Sequence, residues 1–211
     1  MKMENNLSMT LGAYLPILQK RIMDYSTYHG IKTLKNPFDF WLYMEIIWKM
    51  KPDFIIEIGN NWGGSTLALA HQLDLIGKGK IIGIDIDHSK IDNKVKDHPR
   101  IFLNESPALD AYTAAEKMIG SSKRTLVIED SSHTYEHTLE VIKLYSSLTQ
   151  INDYFIVEDT ICHHGLNIGP NPGPYEAVQE FAKDNPNFII DRTIETFVIS
   201  HNPSGFLKRV K

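Results

Sequence analysis

Three carboxylates in this chain stand where a buried strand has no use for charge. The apolar run YFIV ends in two adjacent acids, Glu158 and Asp159. An earlier run, TLVIED, ends in Asp130, 28 positions before Glu158 and 29 before Asp159. Neighbouring carboxylates repel unless a cation or a shared proton relieves them. If the two runs are adjacent strands with aligned tips, three carboxyl groups meet at one point. That arrangement suits a hard divalent cation, with water or a substrate oxygen completing its coordination. Mg2+ is the first expectation and Mn2+ the second. The plainer alternative is solvated strand ends, with Asp130 capping a helix that begins near Ser132. The adjacent pair together with Asp130 favours metal.

A second constellation lies earlier, in EIGNNWGGS. Gly59, Gly63 and Gly64 allow the backbone to approach a ligand closely, at a helix start with free N–H groups. Their spacing differs from the G-x-G-x-x-G of dinucleotide binders. Asp85, 26 positions after Gly59, ends KIIGID and can accept the hydroxyls of a ribose. Dinucleotide enzymes and S-adenosylmethionine enzymes share that device. Glu57 separates them, because a carboxylate helps hold the ammonium of S-adenosylmethionine and repels a pyrophosphate. Glu57, Gly59, Gly63, Ser65 and Asp85 are therefore the candidate cofactor-binding residues. A glycine-rich turn with no cofactor is the competing reading.

His133 follows Asp130 by three residues. An imidazole titrates near neutrality and can take a proton from a hydroxyl, so His133 is the candidate base; a capping or surface histidine is as consistent. His137 lies one turn further on. His163 and His164 open the Gly- and Pro-rich loop HHGLNIGPNPGPY, where either can be a second base or an extra ligand. Cys162 is read as a buried thiol rather than a nucleophile.

These residues need elements to position them. Apolar spacing predicts a helix over 8–25, a turn at Asn36-Pro37, and a helix through FDFWLYMEIIWKMK that closes at Lys51-Pro52. Trp41 and Trp48 fall on it, seven residues apart, as core or interface packing. Strands are expected at 54–59, 80–87, 100–104, 124–130 and 154–159, with helices at 63–77, 107–120, 132–148 and 174–185. Nearly all-apolar strands alternating with helices imply a parallel sheet covered on both faces. NFIID and ETFVIS are too close for a crossover helix, so an antiparallel hairpin is expected there. GFLKRV is a further β segment. The predicted class is α/β: a Rossmann-like, doubly wound, mostly parallel sheet ending in an antiparallel hairpin, with N-terminal helices. Residues 1–52 form a helical extension, a lid or an oligomer interface, and 53–211 the Rossmann-like domain. Ligands of such sheets sit beyond the carboxyl ends of the strands, where the candidates fall.

Bulk properties narrow the class. The 211 residues suit one domain, with 42% hydrophobic and 23% charged residues. A net charge of -4 gives no footprint for nucleic acid or anionic lipid. A single cysteine rules out an internal disulfide and fits a reducing compartment. No apolar stretch approaches the roughly 20 residues that cross a bilayer. A cytoplasmic protein acting on a small hydroxylated molecule is expected, with self-association open.

The 28-residue spacing resembles that of catechol O-methyltransferase, whose metal ligands sit at these two strand tips and whose base lies at the offset of His133. A broader likeness covers residues 30–211. LKNPFDFWLYMEIIWKMKPDFIIEIG, GGS, HPRIFL, DSSHTYEH, YFIVEDT, GPNPGPYEAVQEF and NPSGFLKRV resemble the cephalosporin hydroxylase family, which includes rhamnosyl O-methyltransferase-like proteins. The resemblance implies a class I methyltransferase fold, S-adenosylmethionine as methyl donor, and a metal-dependent O-methyltransferase acting on a sugar or secondary metabolite. Asp130, Glu158 and Asp159 would be its metal ligands. That family often has Asp-Ser-Asp-His where this chain has Asp130-Ser131-Ser132-His133; if the second acid were the ligand, Ser132 would replace it poorly, and the spacing keeps Asp130. Alternatives are an NAD-dependent oxidoreductase, a hydroxylase as the family label says, and a non-catalytic binding module.

Overall fold

The computed structural model describes residues 2–121 and 123–211. The chain opens with helix α1 (Leu11–Tyr25), a small hairpin of β1 (Thr27–Tyr28) and β2 (Ile31–Lys32), and helix α2 (Pro37–Met50). Asn36 starts α2 by accepting a hydrogen bond from the Phe38 amide, with Pro37 in the first turn. Lys51, in the left-handed conformation, ends it.

From there strands and helices alternate: β3 (Phe54–Ile58), α3 (Gly64–Ile76), β4 (Lys80–Asp85), α4 (Asn93–Lys96), β5 (Ile101–Glu105), α5 (Ala108–Ile119), β6 (Thr125–Glu129), α6 (Tyr135–Tyr145), β7 (Tyr154–Val157), α7 (Pro174–Asp184), β8 (Phe188–Ile190) and β9 (Phe206–Arg209). The seven-stranded sheet runs β5-β4-β3-β6-β7-β9-β8. Its first five strands are parallel, and β9 pairs antiparallel with both β7 and β8. This is the expected α/β class.

Both faces of the sheet are apolar, as the strand sequences require. Ile55, Leu126, Ile128 and Ile156 point to one side and pack with Leu42, Tyr43, Ile46 and Ile47 of α2. Ile56, Val127, Phe155 and Val157 point to the other, toward residues of α5, α6 and α7. Alternation with period two on a doubly covered sheet makes every position of the central strands β3 and β6 a core position. Fully burying one such Ile contributes roughly 1.5–3 kcal/mol.

Three features differ from the sequence expectation. ETFVIS is not a strand: β8 pairs instead with β9, which inserts between β7 and β8. Ser200 and His201 are held against α2 by Asp39, and Val198 is 84% exposed in the left-handed region. Trp41 and Trp48 face outward, 55% and 60% exposed, so the core half of their reading fails. Hairpin β1–β2 and helix α4 were too short for a periodic pattern to reveal.

The chain leaves the middle of the sheet at β3, builds β4 and β5 outward, then returns to β6 beside β3. Register aligns the tips at this switch point. Ile58 pairs with Ile84 on one side and Glu129 on the other, and Glu129 pairs with Val157. Gly59, Asp85, Asp130 and Glu158, each at or just past a strand end, therefore share one edge. Among the described residues, no helix is long and apolar enough to cross a membrane.

Candidate active site

A cavity of about 520 Å³ opens over these tips, within the size range of small-molecule sites. Its wall includes Gly59, Ser65 and Asp85 from the first half of the sheet and Asp130, His133 and His137 from the second.

The loop after β3 is shaped by packing. A side chain at Gly59 would place Cβ 2.0 Å from the Asp130 carbonyl oxygen, and its φ is +91°. Only glycine lets the β3 and β6 tips approach this closely. At Gly63, which starts α3 with φ +80°, a Cβ would meet Val95 at 3.0 Å. Gly63 thus serves contact with α4 and does not line the cavity. Asp85 fastens the loop: Oδ2 accepts the amides of Asn60 and Asn61 at 2.8 and 2.9 Å, and Oδ1 accepts that of Asp87 at 3.2 Å. Carboxylate oxygens each accept more than one donor, so Asp85 keeps capacity for a ribose on its cavity side.

Glu57 lies beneath this loop, fully buried. Its Oε2 takes the Thr66 hydroxyl and Asn60 Nδ2, while Oε1 has no partner. Burial raises its pKa, against the opposing charge of Lys35. It is not part of the cavity wall, because Asn60 and Thr66 draw it inward. Asn60, unremarked in the sequence, links Glu57 to His88 through its amide, with His88 Nε2 3.2 Å from Asn60 Oδ1.

The acids do converge, around Lys35, a residue not among the sequence candidates. Lys35 precedes α2, its side chain 7% exposed. Its ammonium donates to Asp130 Oδ2 and, at 2.6 Å, to Glu158 Oε1. Burial alone would lower the lysine pKa, but the charges of Asp130 and Glu158 outweigh it and raise the value above the ordinary one. Lys35 is therefore protonated. Burial, and then repulsion from Asp130, raises the Glu158 pKa. Asp159 is raised by burial first, with His133 opposing.

His133 Nε2 stands 3.4 Å from Asp159 Oδ2 and 3.7 Å from Asp130 Oδ1. Both separations exceed ordinary hydrogen bonds, so Nε2 has no committed partner. Asp159 and His133 are both left-handed, at φ 55° and 57°. Such residues cost about 1–3 kcal/mol each and persist where surroundings hold them. Here the Asp159 amide donates to Asn202 Oδ1 at 3.0 Å, and Asn202 in turn donates to the Tyr43 hydroxyl at 2.7 Å. His201, also missed in the sequence, is buried near Asp159, with Nε2 unpartnered and its pKa lowered by burial.

One donor face is complete without Glu158. Asp130, His133 and Asp159 each offer an atom, all within 4.8 Å of one another, and this set suits a divalent ion. The expected set of three acids is thus present, but divided: Glu158 serves Lys35. His163 and His164 are occupied elsewhere, with Nε2 contacts to Gly169 O at 3.1 Å and Glu176 at 2.6 Å. Cys162 is buried and its thiol is pushed up to about 11 by burial, unsuited to a nucleophile.

Comparison with known proteins adds to this geometry. The family model described as Rhamnosyl O-methyltransferase/CmcI matches residues 20–210. The rhamnosyl O-methyltransferase of Mycobacterium bovis (strain BCG / Pasteur 1173P2) is 32% identical over 191 residues, 87% of this chain and 78% of that protein. That of Mycobacterium leprae (strain TN) is 33% identical over 175 residues, 78% of this chain and 74% of its own. A solved structure described as cmcI-D160 Mg-SAM superposes with a TM-score of 0.69 at 25% identity, covering 88% of this chain and 77% of that one.

Proposed function

The chain belongs to the rhamnosyl O-methyltransferase/CmcI family, and from that membership we propose that it methylates a hydroxyl of a small, rhamnose-like sugar. It is an S-adenosylmethionine-dependent O-methyltransferase. The observation that carries the finer reading is the shared cavity: one wall holds the ribose-accepting Asp85, the other holds Asp130 beside His133. Donor and acceptor can thus be held together, which raises effective concentrations to about 10⁵–10⁸ M in well-aligned cases.

Each residue has a task. Asp85, Ser65 and the Gly59 loop position the nucleoside; Glu57 and Asn60 hold that loop from behind. Asp130 and Asp159 would hold a divalent cation, Mg2+ or Mn2+, by the oxygens that Lys35 leaves free. Such an ion, when bound, stabilises charge developing on the acceptor oxygen. His133, on the cavity wall with an uncommitted Nε2, takes the hydroxyl proton. His137 lies on the same wall and supports it.

Incubation with methyl-labelled S-adenosylmethionine and a panel of rhamnosides, read by mass spectrometry, tests the reading. A labelled methyl ether on one sugar hydroxyl is expected. Absence of any thermal shift with S-adenosylhomocysteine would refute it, and a shift with NADH would favour a dehydrogenase. The Asp130–His133–Asp159 grouping supports a second role for His133, as third ligand. His133→Ala separates the roles: Mn2+ affinity drops at least about tenfold if His133 ligates, and stays unchanged if it is the base.

A further inference from the structure

Lys35 is an unusual way to neutralise an acid cluster. It arrives from the N-terminal segment, 95 positions before Asp130 and 123 before Glu158. Hairpin β1–β2 fixes the chain on one side, and the Asn36 cap with Pro37 fixes it on the other. The side chain ends between two carboxylates just past the tips of neighbouring strands.

We propose that Lys35 is a tethered cation that competes with a divalent ion for Asp130 and Glu158. An Mg2+ ion binds oxygens at about 2.0–2.1 Å. Asp130 Oδ2 and Glu158 Oε1 already close on the lysine nitrogen, the latter at 2.6 Å, so the point between them is filled. What remains for an ion is the face of Asp130 Oδ1, Asp159 Oδ2 and His133 Nε2. Lys35 thereby withholds one of three acids and places a like charge beside any ion that binds. Loss of the ammonium releases Glu158 and removes that repulsion. The segment before β3 then contributes to the chemistry of the site, as the source of its fixed positive charge. Lys35 is a positioning residue, acting through Asp130 and Glu158. The inference rests on the proposed function only where it has an ion visit the wild-type cluster.

The test uses Mn2+ and the full chain, comparing wild type with Lys35→Met and Lys35→Arg. Free Mn2+ is counted by electron paramagnetic resonance, and unfolding temperature is followed with and without the ion. Lys35→Met is expected to bind Mn2+ at least about tenfold more tightly than wild type. Its unfolding temperature drops in chelator and recovers with Mn2+ or Mg2+, while Lys35→Arg behaves like wild type. Lys35→Met binding no more tightly than wild type overturns the proposal. Should Lys35→Met fold only with Mn2+ present, the proposal stands; if neither it nor Lys35→Gln folds even then, the ammonium is structural and the proposal falls. The two readings fail separately. A wild type blind to Mn2+ beside a Lys35→Met that binds supports Lys35 as the resident cation and removes the metal from the proposed reaction. A metal-dependent wild type beside a Lys35→Met of equal or weaker affinity overturns the role of Lys35 alone.

Discussion

Glu129→Gln should flatten much of the fall in stability with rising pH. Glu129 closes β6 one residue before Asp130, its side chain 2% exposed. One oxygen accepts the Ser131 hydroxyl at 2.5 Å and the other has no partner. Burial pushes its pKa up to about 8, with the Asp130 charge adding to the rise. An unfolded glutamate titrates near about 4.3. Between the two values the unfolded chain has lost a proton that the folded chain keeps, so rising pH favours unfolding. The contribution is intact below the unfolded value and is drained as pH approaches the folded one. Its slope is about 1.4 kcal/mol per pH unit, or roughly 2.7 kcal/mol between about pH 5.5 and about pH 7.5. Glutamine keeps an acceptor for Ser131 and cannot ionise; any cost of its amide is the same at both pH values. Urea denaturation of both proteins at the two pH values measures the difference. The glutamine variant should gain on wild type by roughly that 2.7 kcal/mol across the interval. An unchanged difference would mean that Glu129 is already ionised in the folded protein, and the burial reasoning would be wrong.

Other residues give sharper but simpler tests. Gly59→Ala sets a Cβ 2.0 Å from the Asp130 carbonyl at a φ of +91°; a loss on the order of 3 kcal/mol, read by thermal unfolding, is expected. Asp85→Ala frees the Asn60 and Asn61 amides as well as removing the ribose acceptor, so S-adenosylhomocysteine affinity by calorimetry should fall at least about tenfold. His133→Ala should slow methyl transfer by about 10²–10⁴ with donor affinity unchanged, if it acts as the base. Asp39 is buried against Ser200 and His201, and burial pushes its pKa up to about 6. Its folded value lies above its unfolded one, so its contribution drains as pH rises toward about 6, and Asp39→Asn should lose less stability across that window in urea titrations than wild type does.

How far this site could be read from sequence follows from how local each cause is. The tips were legible because an apolar strand that ends in acid announces itself within six residues, as TLVIED and YFIVED do. The mostly parallel, doubly covered sheet followed from crossovers long enough to carry helices, and Asp85 from its place at the end of a strand next to a glycine loop. ETFVIS misled because its short apolar run, Phe197 to Ile199, is real but its fate is tertiary. Asp39 and Tyr43 on α2 bind Ser200, His201 and Asn202, so that stretch is a polar strap that holds Asp159, and GFLKR takes the free edge of β7. Lys35 was illegible for a related reason. Lys35 lies between Leu34 and Asn36 in a stretch that carries the family likeness, but nothing local marks a buried lysine there, and its partners lie just past the tips of two later strands.

The same contacts explain why the N-terminal segment cannot be set aside as an accessory. Ile31, Leu42, Ile46 and Ile47 share a core with Ile55, Leu126 and Ile156 of the sheet. The segment also supplies the site with its fixed cation through Lys35, and with the anchor of the Asp159 loop through Tyr43 and Asn202. Breaking either polar link should therefore change metal affinity before it changes the fold. An apolar deletion on the same helix, such as Ile46→Ala, should do the reverse: a loss of about 2–5 kcal/mol in urea denaturation, with Mn2+ affinity unchanged in the molecules that remain folded. If Ile46→Ala and Asn202→Ala instead lowered stability and Mn2+ affinity in the same proportion, helix, strap and acid cluster would be one cooperative unit, with no separate electrostatic role for the segment.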